Sequence, residues 1–139
     1  MANSLWLIEI ASPYAICYKP TKMFRFESLD IWKLSLDYAD KLYDVAYLFP
    51  SEERFALSDQ LRRAAVSISN NIAEGSGSAT NKNFSSFLDI SIKSSLETVN
   101  ILFLARKRDY ITEKERQFLY NDAEILIKKI RAFKNKLAD

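Results

Sequence analysis

The stretch LSDQLRRAAVSISNNIAEG, residues 57–75, decides how this chain folds. Leu57, Leu61, Ala64, Ala65, Ile68 and Ile72 recur at intervals of three and four, which lays one apolar stripe along a helix and not along a strand. The spacing predicts a helix from about Glu52 to Glu74, with Gly75 suited to the left-handed position that often follows a helix. A second row, Gln60, Arg63, Ser67, Asn71 and Glu74, falls beside that stripe and not opposite it. Residues so placed are expected to be partly buried and hydrogen-bonded.

The same period continues on both sides. A helix from about Leu29 to Leu48 is predicted, capped by Ser28 and stopped by Pro50, with Ile31, Leu34, Tyr38, Leu42, Val45 and Phe49 as its core stripe. Trp32, Leu36, Tyr43 and Tyr47 form a second apolar group beside it. That leaves only Lys33, Asp37, Asp40 and Asp44 as a clearly solvated band. A third helix, about Asn81 to Arg108, is apolar or small over more than half its circumference, and Ser86, Asp89, Lys93, Asn100 and Lys107 form its exposed strip. Such a helix must be covered on two sides. The fourth opens with a capping box, Thr112-Glu113-Lys114-Glu115, and runs to about Leu137 with Leu119, Ala123, Leu126, Ile130, Phe133 and Leu137 inward. Short connections favour an all-α, up-down-up-down antiparallel four-helix bundle.

Composition agrees. The chain has 139 residues with only two glycines and three prolines, too few for the many turns of a β-sandwich or barrel. Residues 1–22 show no steady period and contain Pro13 and Pro20, so they read as an irregular leader to a domain spanning 23–139. Met23 stands just before the first periodic segment, which makes a later start codon an expectation. No stretch approaches the roughly 20 apolar residues of a membrane span, and no signal peptide is evident; a cytoplasmic protein is expected.

The candidate chemistry is sparse. Histidine is absent, which removes the commonest general base, metal ligand and pH switch. The lone Cys17 excludes an intrachain disulfide framework. Carboxylate-bridged metal bundles need Glu-x-x-His motifs that the sequence lacks. Glu97, on a largely buried helix, reads as a structurally satisfied carboxylate, and a lone acid makes no active site. The glycine-containing run Gly75–Thr80 reads as a turn, since it lacks the lysine of a P-loop. No catalytic residue, cofactor site, metal site or small-molecule substrate is therefore expected. Twenty basic residues stand against eighteen acidic ones, so no global field draws the protein to nucleic acid. Local phosphate contacts, if folding gathers them, would come from Arg62 and Arg63, from Arg106, Lys107 and Arg108, and from Lys128, Lys129 and Arg131. Cations also commonly sit at a helix C-terminus simply because they complement its dipole. The surplus apolar surface on the first and third helices favours a homo-oligomer interface over a generously packed monomer core.

The pattern Pro50-x-x-Glu53-x-x-x-Leu57-x-x-Gln60-x-x-Arg63-Ala64-x-x-Ser67-Ile68-x-x-Asn71-Ile72-Ala73-Glu74-Gly75, with Phe26-x-x-Leu29-x-x-Trp32 before it, resembles the four-helix-bundle proteins encoded in intervening sequences of bacterial 23S rRNA genes. These are related to accessory proteins of diversity-generating retroelements. The likeness runs from about Phe24 to Leu137. It implies a non-enzymatic bundle assembled as a barrel-like homopentamer, and Gln60, Arg63, Ser67, Asn71, Glu74, Gly75 and Glu97 as structural motif residues. For the retroelement relatives it implies binding of a reverse transcriptase and of RNA or DNA. The third helix departs from the family's Ala-x-Gly-Ser-Leu-x-Glu run: Ser94 and Glu97 match, whereas Lys93 replaces the glycine.

Overall fold

The computed structural model describes residues 24–138; the segment 1–22, read as a leader, lies outside them together with Met23. Four helices follow in order: α1 (Asp30–Ala46), α2 (Leu57–Ser76), α3 (Asn81–Lys107) and α4 (Glu113–Ala138). Among the described residues there is no strand. Each helix packs on its two neighbours, α1 on α2 and α4, α3 on α2 and α4, while the diagonal pairs keep their backbones apart. Contacts between chain neighbours run in opposite directions: Ser58 reaches Ala46, Ser91 reaches Ile68, and Phe84 meets Phe133. The architecture is the expected antiparallel bundle.

The core consists of the predicted stripes. Leu42, Leu61, Ile68, Ile72, Leu88 and Ile130 are completely buried, and Phe84, Leu102 and Leu126 nearly so. The ends of the helices are set by local chemistry. At α4 the capping box forms as expected: Thr112 donates its backbone N–H to the Glu115 carboxylate at 2.9 Å, and Glu115 returns its own N–H to the Thr112 hydroxyl at 3.1 Å. Thr80 caps α3 by accepting the Asn83 N–H.

Three expectations need correction at helix ends. Ser28 does not cap α1; its hydroxyl donates to the Arg25 carbonyl inside a 3-10 turn, Arg25–Ser28, and Leu29 takes the cap position without a side-chain bond. The second helix starts at Leu57 and not near Glu52, because Ser51–Glu53 form a 3-10 turn and Ala56 leaves helical geometry at φ −121°, ψ −104°. Glu53 then acts from outside, accepting the Leu57 N–H on one carboxylate oxygen and the Tyr110 hydroxyl on the other. Its negative charge suits the positive end of the helix dipole.

The third correction concerns Gly75. It has no positive φ and is buried inside α2. A β-carbon there would stand 2.7 Å from Phe87 Cβ and 2.8 Å from the Phe84 ring, so the glycine is required by the close approach of α3 and not by a turn. The left-handed residue is instead Asp109, φ 60°, after α3. Tyr110 N–H bonds the Ala105 carbonyl and Asp109 N–H the Arg106 carbonyl, which is the Schellman pattern.

Hydroxyls line the interior of α3. Ser91, Ser95 and Thr98 have no exposed surface, and Ser94 is buried as well. Each proton that would be stranded returns to a backbone carbonyl: Ser91 to Ile68 on α2, Ser95 to Ser91, Thr98 to Ser95. Because Thr98 spends its proton on Ser95, the Tyr38 hydroxyl donates to Thr98 Oγ1 at 2.8 Å, joining the diagonal helices α1 and α3 through the core. Burial pushes the Tyr38 phenol up to about 12.

Two outcomes follow from this packing. Gly75→Ala is expected to lower stability by about 1–3 kcal/mol despite alanine's better helix propensity, read as the shift of the urea midpoint. For Tyr38, the folded state holds the proton more tightly than the unfolded chain, whose phenol titrates near 10. The stabilisation it brings is complete below pH 10 and is lost as pH rises from 10 to about 12. Tyr38→Phe is expected to cost about 0.5–1.5 kcal/mol at neutral pH and to flatten the alkaline fall of the melting temperature in that window.

Candidate functional site

The polar row of α2 lies at the α2–α3 seam. Small side chains let the two helices come close there, and the row supplies the hydrogen bonds at the rim of the contact. Gln60 donates its amide to the Glu97 carboxylate. Ser67 and Ser94 share a hydroxyl bond of 2.7 Å, and Asn71 donates to both the Ser67 carbonyl at 2.7 Å and its hydroxyl at 3.1 Å. Ser67 and Asn71 are half-buried, as expected for a row beside the apolar stripe.

The remaining members behave differently. Arg63 is exposed and pairs with Asp59 on its own helix at 2.8 Å, and that carboxylate raises the affinity of the guanidinium for its proton. Glu74 is exposed. Glu97 is also exposed, because the buried arc of α3 covers one side only and position 97 lies at its outer edge. Its carboxylate is satisfied, by Gln60. Lys93, where the family pattern has glycine, faces solvent.

Outside the seam, a shallow groove of about 560 Å³ follows the outer side of α2, bounded by Tyr43, Arg62, Asn70, Asn71 and Glu74. Its walls carry both signs of charge. No group of three His, Cys, Asp or Glu residues that could hold a metal occurs among the described residues. No described helix is long and apolar enough to cross a membrane.

The basic residues do not form one field. Arg62, Arg63, Arg106, Lys107 and Arg108 lie towards the end of the bundle where α1 stops and α4 starts; Lys128, Lys129 and Arg131 lie towards the other end. Many serve their own surroundings. Arg62 bonds the Arg54 carbonyl and faces Asp59, Arg106 pairs with Asp109 at 2.9 Å, and Lys128 pairs with Glu124 at 2.7 Å. The Arg108 guanidinium sits 5.9 Å from the centre of the Tyr110 ring. The sequence reading missed Arg116, a buried cation on α4. It is held by Glu113 and lies 4.6 Å from the Phe103 ring centre. Hydrogen bonding to Arg116 holds the Glu113 carboxyl below its ordinary range. An i,i+3 Glu–Arg pair was the available signal, but it is indistinguishable in sequence from a surface ion pair.

Apolar side chains remain exposed on all four helices. On the α1–α2 side stand Leu36, Tyr43, Tyr47 and Val66; on α3, Ile90, Leu96, Phe103 and Leu104; on α4, Phe118 and Ile125. The second apolar group of α1 is thus uncovered except for Trp32, which packs on Phe26 at 4.9 Å between ring centres. Asn71→Leu is expected to cost about 1–2 kcal/mol by removing the two hydrogen bonds that Asn71 donates to Ser67 at the rim of the seam. An unchanged thermal midpoint would show the asparagine is available for another role.

The comparisons with known proteins agree with this geometry. Residues 27–132 match the family described as 23S rRNA-intervening sequence protein. Among solved structures, a protein of unknown function from the S23 ribosomal protein family of Bacteroides thetaiotaomicron is similar, with 26% sequence identity and a TM-score of 0.69 over 75% of this chain and 97% of that one. No curated protein sequence matches. Helix order, seam residues and the extent of the match lead to one assignment: the chain belongs to the 23S rRNA-intervening sequence protein family.

Proposed function

We propose that this protein is a non-enzymatic scaffold that works as a homo-oligomer in the cytoplasm. The observation that supports the reading is apolar exposure on several sides of a bundle whose core is already complete. Tyr47 is 80% exposed, Phe103 49% and Leu104 44%. Large apolar side chains concentrated in this way are characteristic of association surfaces. The assembled surface, and not a pocket, is then the functional feature; the one groove along α2 is shallow and mixed in charge.

Five copies is the number that the family resemblance implies, and RNA, DNA or a reverse transcriptase are the partner classes it implies. The scaffold reading carries further than the nucleic-acid reading on this chain, because its cations are divided between two ends and several are neutralised by adjacent carboxylates. A purely structural assembly, with no affinity for nucleic acid, fits the same observations.

Multi-angle light scattering of the full chain tests the assembly. A mass several times 16.1 kDa is expected at micromolar concentration, and a monomer at high micromolar concentration would contradict it. Electrophoresis with single-stranded and duplex RNA at low salt separates the two partner readings. A shift that weakens steeply with salt would favour phosphate binding; free RNA at high protein excess would leave the structural assembly.

A further inference from the structure

The α3–α4 side of the bundle carries a groove of its own, away from the polar row of α2. Phe84 meets Phe133 there, and beyond them the Lys134 ammonium reaches the Asp89 carboxylate, so the first turns of α3 lie against the last turns of α4. Arg131, Lys134 and Asn135 stand at i, i+3 and i+4 on α4 and share a face, as Asp89 and Lys93 do on α3. Together with Ile92 they line a groove of about 400 Å³. Ile92 is buried, whereas Lys93, Arg131 and Asn135 are exposed.

The charge in this groove is not balanced from within the fold. Lys93 has a carboxylate one turn away on either side, at Asp89 and Glu97, but other helices engage both: Lys134 of α4 holds Asp89, and Gln60 of α2 holds Glu97. Arg131 has no acid within one turn; Lys128 and Lys134 stand three positions away, Ile127 and Asn135 four. Neither Lys93 nor Arg131 has a hydrogen-bond, ion-pair or ring partner among the described residues. Three cations against one carboxylate leave the groove with two positive charges in excess. Like charges held together in this way repel, and a bound anion relieves the repulsion. In sequence these residues read as separate features, an exposed strip on α3 and a cationic end on α4.

We propose that this groove binds a phosphate dianion, the terminal phosphate of a small phosphorylated molecule or of a nucleic-acid strand. Arg131 offers a planar fork of N–H donors, Lys93 and the tethered Lys134 offer point charges, and Asn135 adds an amide. Donors therefore come from both sides of the seam. A carboxylate carries one charge and is satisfied by one such fork. A phosphate monoester carries about −1.5 to −2 near pH 7 and three acceptor oxygens, which matches the excess charge and the number of cations. A phosphodiester carries a single charge and matches less well, so the site differs from general contact along a nucleic-acid backbone. It belongs to this chain and not to the family pattern, which has glycine where Lys93 stands. The assignment goes beyond the scaffold reading and does not depend on it.

Phosphorus NMR titration of the full chain with inorganic phosphate and with adenosine 5′-monophosphate tests the site. Lys93→Gln and Arg131→Gln, both at exposed positions, are each expected to weaken binding about tenfold or more, with unchanged melting. Lys33→Gln, exposed on α1, is expected to leave it unchanged. Binding of the nucleotide is expected to weaken below about pH 6, where its phosphate takes up a second proton. Two RNA strands of one sequence, with a 5′-phosphate or a 5′-hydroxyl, identify the source of the phosphate. Tighter binding of the phosphorylated strand than of the nucleotide assigns a nucleic-acid end; equal or weaker binding assigns a small molecule. Absence of binding to every phosphate probe would overturn the site. So would binding that Lys93→Gln and Arg131→Gln leave intact, or a loss that Lys33→Gln shares.

Discussion

The close approach of α2 and α3 is the constraint on which the rest of the bundle depends. At Gly75 the two helices come so near that no β-carbon fits against Phe84 and Phe87. Farther along, Ala64, Ala65, Ser91, Ser94 and Ser95 keep the gap narrow with small side chains. Close packing gains dispersion contacts over the whole length of the pair. It also creates a difficulty, because buried hydroxyls lose their water. The helix resolves it internally: serine and threonine protons return to carbonyls of α3 or reach across to Ile68. A tight seam and a satisfied seam are the same set of residues.

From that seam the other contacts take their positions. Thr98, turned inward by its place on α3, receives the Tyr38 hydroxyl and so fixes α1 relative to α3. Lys41 with Asp122 and Lys134 with Asp89 then tie α4 to α1 and α3 at the surface. These half-buried, water-accessible ion pairs contribute little energy individually, but they are consistent with one register of α4. Gln60, Ser67 and Asn71 of the polar row belong to the rim of the seam, which explains why the row looks in sequence like a site and is there occupied by hydrogen bonds.

Much of this is legible in the amino-acid sequence. The 3-and-4 spacing in all four segments is a property of the helix itself, so the four core stripes and the capping box at Thr112 could be read directly. The end of α2 could not. A glycine at the close of an apolar period fits both a left-handed cap and a tight helix crossing, and only the position of Phe87 on another helix decides between them. Asp109 shows the converse: its positive φ comes from the Schellman turn, and aspartate advertises that conformation weakly. The exposure of Glu97 was not legible for a related reason. Helical periodicity shows which residues share a face, but the exact edge of the buried arc depends on where the neighbouring helices sit. The basic candidates were unreadable in the same sense, since whether they cluster depends on which bundle end each occupies.

The exposed apolar faces give the bundle an incompleteness that its core does not have. A domain with satisfied hydroxyls and a filled interior still presents Tyr47 to water on one side and Leu104 on the other. Hydroxyl-radical footprinting across a dilution series tests most directly whether those faces are covered by copies of the same chain. The account predicts that Tyr47, Phe103 and Leu104 are protected in concentrated protein and become reactive on dilution, while Phe55, 86% exposed and outside both faces, reacts equally throughout. Reactivity of Tyr47 and Leu104 that does not change with concentration, in a sample shown to be assembled, would contradict it.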